Sequence, residues 1–469
     1  MKLSLALSGL LLAGIPLTGH GSTAVDGADA VPAGLDTSVA TALESTRVPG
    51  VAIARIEDGR LAWTGTWGRR SPTAPVDANT VFNVASLTKP VFATMVLRQV
   101  AAGEVDLDAP LSAHWVDPDV ADDPRHEALT ARIALSHQTG LPNWRGDRPL
   151  AFGFAPGTRH EYSGEGFEYL RRTIERQSGQ PLRTLMRTAV LAPAGMDATH
   201  FGWDESIAPD LATGFDAKGE PYPDDGLRER DPNAAANMFT TIGDYGRFTA
   251  WVAGGAGLPA KLFADIQRPQ ALHPDPAERF GLGWRLIPVD GQPVLSHDGR
   301  ENGVRTQVFV FPASGDGLVI LSNSDNGELL TRPLVEATLP RQAPALLAAI
   351  DRDIWRYLQG MPAGQASQLA QMLPRSPPFM ARFLYAADHA LMATAPVDAA
   401  SRKRAHDAIA PFVQGLLDGR TDPARASALV NMALAPAPGD GEPAGTGWRQ
   451  RLDRAQAEAW MRQLQVDGE

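Results

Sequence analysis

Ser86 and Lys89 stand three residues apart at the start of an apolar run, a spacing that puts both side chains on one face of a helix. A hydroxyl within reach of an amine is the minimum equipment for nucleophilic catalysis, because the amine can take the proton while the oxygen attacks a carbonyl. The chain has five lysines among its 43 basic residues. Chance alone would place a serine three residues ahead of one of them in about a quarter of such sequences. The spacing also fits a serine N-cap with a snorkelling lysine. The setting adds weight to the chemical reading. Val84, Leu87, Val91, Met95, Val96 and Val100 predict a buried helix ending at Gly103. Pro90 is tolerated only in a first turn, so the helix is expected to begin at about Ser86, with the hydroxyl at the positive end of the helix dipole.

Other segments carry reactive side chains. Tyr162 lies in a polar loop, Pro156 to Gly164, ahead of a helix expected over 166–177. His297-Asp298-Gly299 closes a short strand, with a glycine that allows close backbone approach. His137 sits in the helix end and turn over 135–142 and reads as structural. Taken singly, each is compatible with ordinary packing. His126-Glu127 and His160-Glu161 lack the spacing of a zinc helix, and no phosphate-binding glycine loop is present, so neither metal nor nucleotide cofactor is expected.

The elements that must position these residues follow from periodicity. Residues 35–47 are helix-like, and two alternating runs, 51–56 and 61–67, flank Asp58-Gly59, a strong hairpin signal. Helical periodicity broken by Pro and Gly loops fills 105–245. Strands return over 283–288, 294–297, 306–311 and 318–323, before a helix with Leu347, Ile350, Ile354 and Leu358 on one face. The expected fold is α+β: an antiparallel sheet flanked by terminal helices, an inserted mostly helical lobe, and the active site between them. A hydrolase-sized domain over 35–358 is followed by a helical C-terminal extension over 360–469. Its expected helices cover 379–394, 399–418 and 447–465, and 373–378 and 435–447 read as linkers.

Bulk properties narrow the partners. With 469 residues, 43% apolar, and a net charge of −11, the chain can build a large core, and it lacks the basic surface a nucleic acid or anionic membrane requires. Residues 1–24 read as a secretory signal peptide, which predicts a periplasmic or secreted protein with no stable membrane span once the signal is removed. There is no cysteine, hence no disulfide and no lipid-attachment thiol.

Taken together and in order, these segments resemble the serine β-lactamase and penicillin-binding protein superfamily, specifically its class C β-lactamase-like branch with D-alanyl-D-alanine carboxypeptidases and esterases. The runs 103–110, 192–199 and 239–248 match further common segments. The resemblance implies a β-lactamase/transpeptidase-like fold and a serine hydrolase that forms an acyl-enzyme on an ester or peptide. It implies Ser86 as nucleophile, Lys89 as its activating partner and Tyr162 as base or proton shuttle. His297 falls where the third motif usually has lysine, and the backbone N–H groups of Ser86 and Arg300 form the oxyanion hole beside Gly299. A free tyrosine titrates near 10, so a proton shared among Ser86, Lys89 and Tyr162 is more economical than a phenolate. Two positions depart from the pattern. Gly164 replaces a substrate-binding asparagine, which predicts a preference for esters over β-lactams, with Gly164→Asn improving amide acylation. His297 replaces a fixed cation with a pH-dependent one, for which Arg300 or Arg305 would compensate. The alternatives are a D-amino-acid peptidase or carboxypeptidase on cell-wall peptides, and a non-catalytic peptidoglycan-binding protein on the same fold.

Overall fold

The computed structural model describes residues 30–223, 229–270, 279–361, 365–435 and 451–465. The signal-peptide segment and most of the 435–447 linker lie outside the described residues. Strands β1 (Gly50–Glu57) and β2 (Arg60–Gly68) form the expected hairpin. Its two-residue turn places Asp58 and Gly59 at φ 50° and 73°, the left-handed region an Asp-Gly pair tolerates. β3 (Phe82–Asn83), β4 (His200–Phe201) and β5 (Met238–Thr240) make a small separate sheet in the order β3-β5-β4. That sheet was not expected, because two- and three-residue strands carry no readable period.

The main sheet is completed by β6 (Arg285–Val289), β7 (Gln292–Glu301), β8 (Val304–Phe311) and β9 (Asp316–Ser322), in the antiparallel order β2-β1-β9-β8-β7-β6. β1 and β9 meet in the middle with Ile53 opposite Ile320. β6 pairs with β7 only as far as Ser296, so β7 continues beyond its neighbour from His297 onward.

The sheet is buried on both faces. Alternate residues such as Ala52, Leu295, Val308 and Val319 point inward to a core shared with the helical lobe, which holds helix α1 (Thr88–Ala101) at its centre. Their neighbours Val51, Val294, Phe309 and Leu318 point outward onto three helices, Leu35–Thr46, Thr331–Thr338 and the long helix α2 (Ala343–Gly360).

The extension has a core of its own. Phe383, Leu384, Ala387 and Leu391 pack with Phe412, Leu429 and Trp460. The segment 373–378 is not a linker. It holds a 3-10 turn, Leu373–Arg375, and the start of helix α3 (Pro377–Ala387), whose first two positions are Pro377 and Pro378. Proline there gives up only a donor that a first turn leaves unused. Further helices follow at Ala399–Asp407, Ile409–Asp418, Pro423–Ala433 and Arg454–Leu464. Helix α2 serves both cores: Leu346 and Leu347 face the sheet, while Trp355 and Leu358 belong to the extension.

Candidate active site

Ser86 lies in the single 3-10 turn Ala85–Leu87 that leads directly into α1. The residue before it, Ala85, has φ 46°, a left-handed conformation that costs a non-glycine residue about 1–3 kcal/mol and survives only where its surroundings impose it. Those surroundings are specific. Ala85 N–H donates to Asn83 Oδ1 at 2.7 Å, Thr88 Oγ1 donates to the Ala85 carbonyl at 2.6 Å, and the buried Tyr245 hydroxyl donates to the Leu87 carbonyl at 2.9 Å. From the sheet, Thr306 Oγ1 on β8 donates to the Val84 carbonyl at 3.0 Å. Ala85, Tyr245 and Thr306 were not singled out from sequence, since nothing local marks a residue that holds a distant turn.

Lys89 is fully buried, and its Nζ lies 3.1 Å from Ser86 Oγ and donates to the Ala235 carbonyl at 2.9 Å. Among the described residues no carboxylate comes within ion-pair distance of it. Burial therefore dominates and lowers its pKa from 10.5 to about 7, with Asp298 and Glu168 opposing the shift from further away. Glu168 also sets the second bond, because it accepts from Ala234 N–H at 2.7 Å and so fixes the loop that presents the Ala235 carbonyl.

Tyr162 stacks on His137, ring centroids 4.2 Å apart, and lies beneath the Lys89 ammonium at 4.6 Å. Its hydroxyl is buried without a fully formed hydrogen bond. Burial raises its pKa well above 10, and the nearby Ser86 hydroxyl only partly offsets this. The phenol therefore stays protonated at neutral pH, which removes the phenolate alternative. His137 accepts from Ser163 N–H at 3.0 Å, so it fixes the tyrosine loop as well as stacking on the ring.

His297 faces inward from β7, 6.2 Å from the Tyr162 ring, with Nδ1 bonded to the Asp298 carbonyl at 2.8 Å and Nε2 buried without a hydrogen bond. Burial lowers its pKa to about 4. It is a neutral ring at physiological pH, which corrects the expectation of a cation titrating near 6.5. Arg300 and Arg305 do not replace that charge, since both are committed to Glu328 on the outer side of the sheet. Gly299 lies against the turn that holds Ser86: a Cβ there would stand 2.2 Å from the Val84 carbonyl oxygen.

Gly164 is the first residue of the helix Gly164–Ser178, capped by Ser163. Its N–H donates to Asn143 Oδ1 at 3.0 Å, and an added Cβ would meet Trp144 Cη2 at 2.7 Å and the Asn143 carbonyl at 2.8 Å. The space of the usual asparagine is thus already filled by Asn143 and Trp144. That overlap works against the expected benefit of Gly164→Asn.

Ser86, Lys89, Tyr162, His297 and Gly299 are thus gathered at one place between the main sheet and the lobe. Residues 35–337 match the family model described as Beta-lactamase. The chain belongs to the beta-lactamase family. As a member it is a serine hydrolase. It is similar to esterase EstB of Burkholderia gladioli, 28% identical over 55% of this chain and 79% of that protein. It is equally similar to penicillin-binding protein 4 of Amycolatopsis lactamdurans, 28% identical over 59% of this chain and 81% of that protein. Unguisins hydrolase ungD of Aspergillus violaceofuscus is 24% identical over 60% of this chain, which spans 59% of that protein's length. In three dimensions a class C beta-lactamase superposes with a TM-score of 0.57 at 18% identity, covering 66% of this chain and 95% of that one.

Proposed function

We propose that this family member cleaves an ester or amide through an acyl-enzyme on Ser86. The observation that carries the reading is a neutralisable amine, Lys89, 3.1 Å from the serine hydroxyl. Neutral Lys89 takes the Ser86 proton as Oγ attacks the carbonyl carbon. The developing oxyanion is held by the Ser86 and Arg300 N–H groups, each such donor contributing on the order of 3 kcal/mol. The protonated Tyr162 hydroxyl gives its proton to the leaving group and recovers one from Lys89. In the second half a water attacks the acyl carbon, and the same groups return the proton to Ser86 Oγ.

Neutral His297 and the outward commitment of Arg300 and Arg305 mean that none of these three offers the acyl site a fixed cation for a terminal carboxylate. That favours an esterase over a D-alanyl-D-alanine carboxypeptidase. The catalytic unit is proposed to span 35–358 with the extension over 360–469, and residues 1–24 to direct export to the periplasm or beyond. The test is a panel of short-chain esters, D-amino-acid peptides and cephalosporins on the full mature chain, with intact-mass detection of the acyl-enzyme. An ester adduct that turns over, with slow β-lactam turnover, is expected. Rapid D-Ala-D-Ala cleavage without ester turnover would overturn the esterase assignment.

A further inference from the structure

On the outer side of the sheet, between it and the extension, lies a cavity of about 520 Å³. That is within the roughly 300–1,000 Å³ typical of small-ligand sites. Its apolar part is built from both sides of the seam, by Phe309 and Ile350 of the hydrolase unit and Val413 and Leu417 of the extension. At one end the wall turns polar, with Asp298, Arg285 and Arg382.

The pairing of these three side chains is incomplete. The solvent-exposed Asp298 carboxylate has no hydrogen bond or ion pair among the described residues and is open to a ligand, with the His297 ring, Arg382, Arg285 and Arg300 all acting on it electrostatically. Arg285 has only a 3.8 Å contact with Asp353, and Arg382 a 3.3 Å contact with Glu328. By contrast, Arg332 of the same cavity is held bidentately by Asp351 at 2.8 and 2.9 Å and covers the Tyr385 ring at 3.8 Å. Arg332 is thus committed within the protein, whereas Asp298 and Arg285 keep most of their hydrogen-bonding capacity free.

An acid and two loosely held guanidiniums beside an apolar chamber match a zwitterion with an apolar body. We propose that this cavity binds a small zwitterionic ligand, of which an α-amino acid with a large apolar side chain is the simplest form. Its ammonium meets Asp298, its carboxylate meets Arg285 and Arg382, and its side chain enters the apolar chamber. The site is separate from Ser86. It rests on the outer side of the strand whose inner side carries His297.

The test is calorimetric titration of the full chain, and of its Ser86→Ala variant, with D- and L-phenylalanine, phenethylamine, 3-phenylpropionate and N-acetylphenylalaninamide. Either phenylalanine enantiomer is expected to bind both proteins alike and at least tenfold more tightly than the compounds lacking one or both charges. Asp298→Asn should weaken binding about tenfold, and Ala410→Trp, which fills the chamber from an exposed helix position, should abolish it without lowering Tm. Absence of millimolar binding, binding untouched by both variants, or tighter binding of phenethylamine would overturn the proposal. Loss of binding in Ser86→Ala would move the ligand to the acyl site and overturn it as well. Because binding is read on the acylation-dead variant, failure here leaves the acyl-enzyme reading unaffected.

Discussion

On the inner side of β7 the buried Lys89 has, among the described residues, a hydroxyl and a carbonyl as its hydrogen-bond partners and no carboxylate. On the outer side, Arg300 of β7 itself, Arg305 of β8 and Arg382 of the extension converge on Glu328. The same sheet thus borders two opposite uses of charge. An amine left without a carboxylate loses the stabilisation of its charged form and becomes able to accept a proton near neutrality. Guanidiniums, which do not titrate, are suited to bracing, and here they fasten the end of the strand that carries the proposed oxyanion donor to the extension. A lysine in the second setting would stay charged, and an arginine in the first could never act as a base.

The sharpest break of this contrast is removal of the proposed nucleophile. Ser86→Ala is expected to lower turnover by a factor on the order of 10⁴ or more and to eliminate labelling by a fluorophosphonate, while leaving Tm unchanged. Surviving label would shift the nucleophile elsewhere. Lys89→Arg puts a permanent charge into the inner site, and Lys89→Met removes the base. Each should reduce acylation by about 10²–10⁴, the range of a lost proton-transfer partner.

The pH dependence of the wild type sharpens the same point. Neutral Lys89 accumulates as pH rises through about 7, so kcat/KM should climb tenfold per unit below that value and level off above it. A flat profile from pH 5 to 8 would show that Lys89 does not titrate there. Stability carries the opposite record. From pH 7 to 10.5 the unfolded chain binds this proton more tightly than the folded one, so the contribution of Lys89 to stability rises with pH across that window. Urea titrations of Lys89→Met should lack that rise. His297 titrates far lower, so any preference for carboxylate-bearing esters should remain constant from pH 8 to 5 and strengthen only near 4.

Two smaller effects concern packing. Gly164→Asn should cost about 1–3 kcal/mol of stability through its overlap with Trp144 and Asn143, and Trp144→Ala should relieve part of that loss in the double variant. Full stability in the single variant would mean that the tryptophan moves aside freely. On the outer side, Glu328→Gln weakens three ion pairs at once. Its expected result is a Tm lower by a few degrees, read by calorimetry, with a kcat loss well below that of any inner-side variant.

Local chemistry was legible in the sequence and distant contacts were not. Asp58-Gly59 announced its hairpin because two residues set that turn, and Ser86 and Lys89 announced each other because one helical turn joins them. The strand carrying His297 was also readable, by its alternation. Nothing near Gly164 in sequence says that Asn143 and Trp144 fill the space beside it, since the overlap arises only when two loops meet. His297 looked like a titrating switch because its reference pKa was all the sequence offered, and burial under Tyr162 and Phe280 is a tertiary fact. Pro377 and Pro378 read as punctuation because proline begins helices as readily as it ends them.

Helix α2 gives the protein a schedule as well as a shape. Its first half finds the sheet as soon as the hydrolase unit is complete, but Trp355 and Leu358 find their cover only in the extension, beginning with helix α3. That helix follows Leu358 by about 20–30 residues, or about 1–6 s at ordinary rates of synthesis. During that interval a finished hydrolase unit carries an open apolar patch at its far end. A chain cut short after Gly360 would be fixed at that stage, and its tendency to aggregate against its retained hydrolase activity measures how far the extension acts as a cover built by the protein for its own last helix.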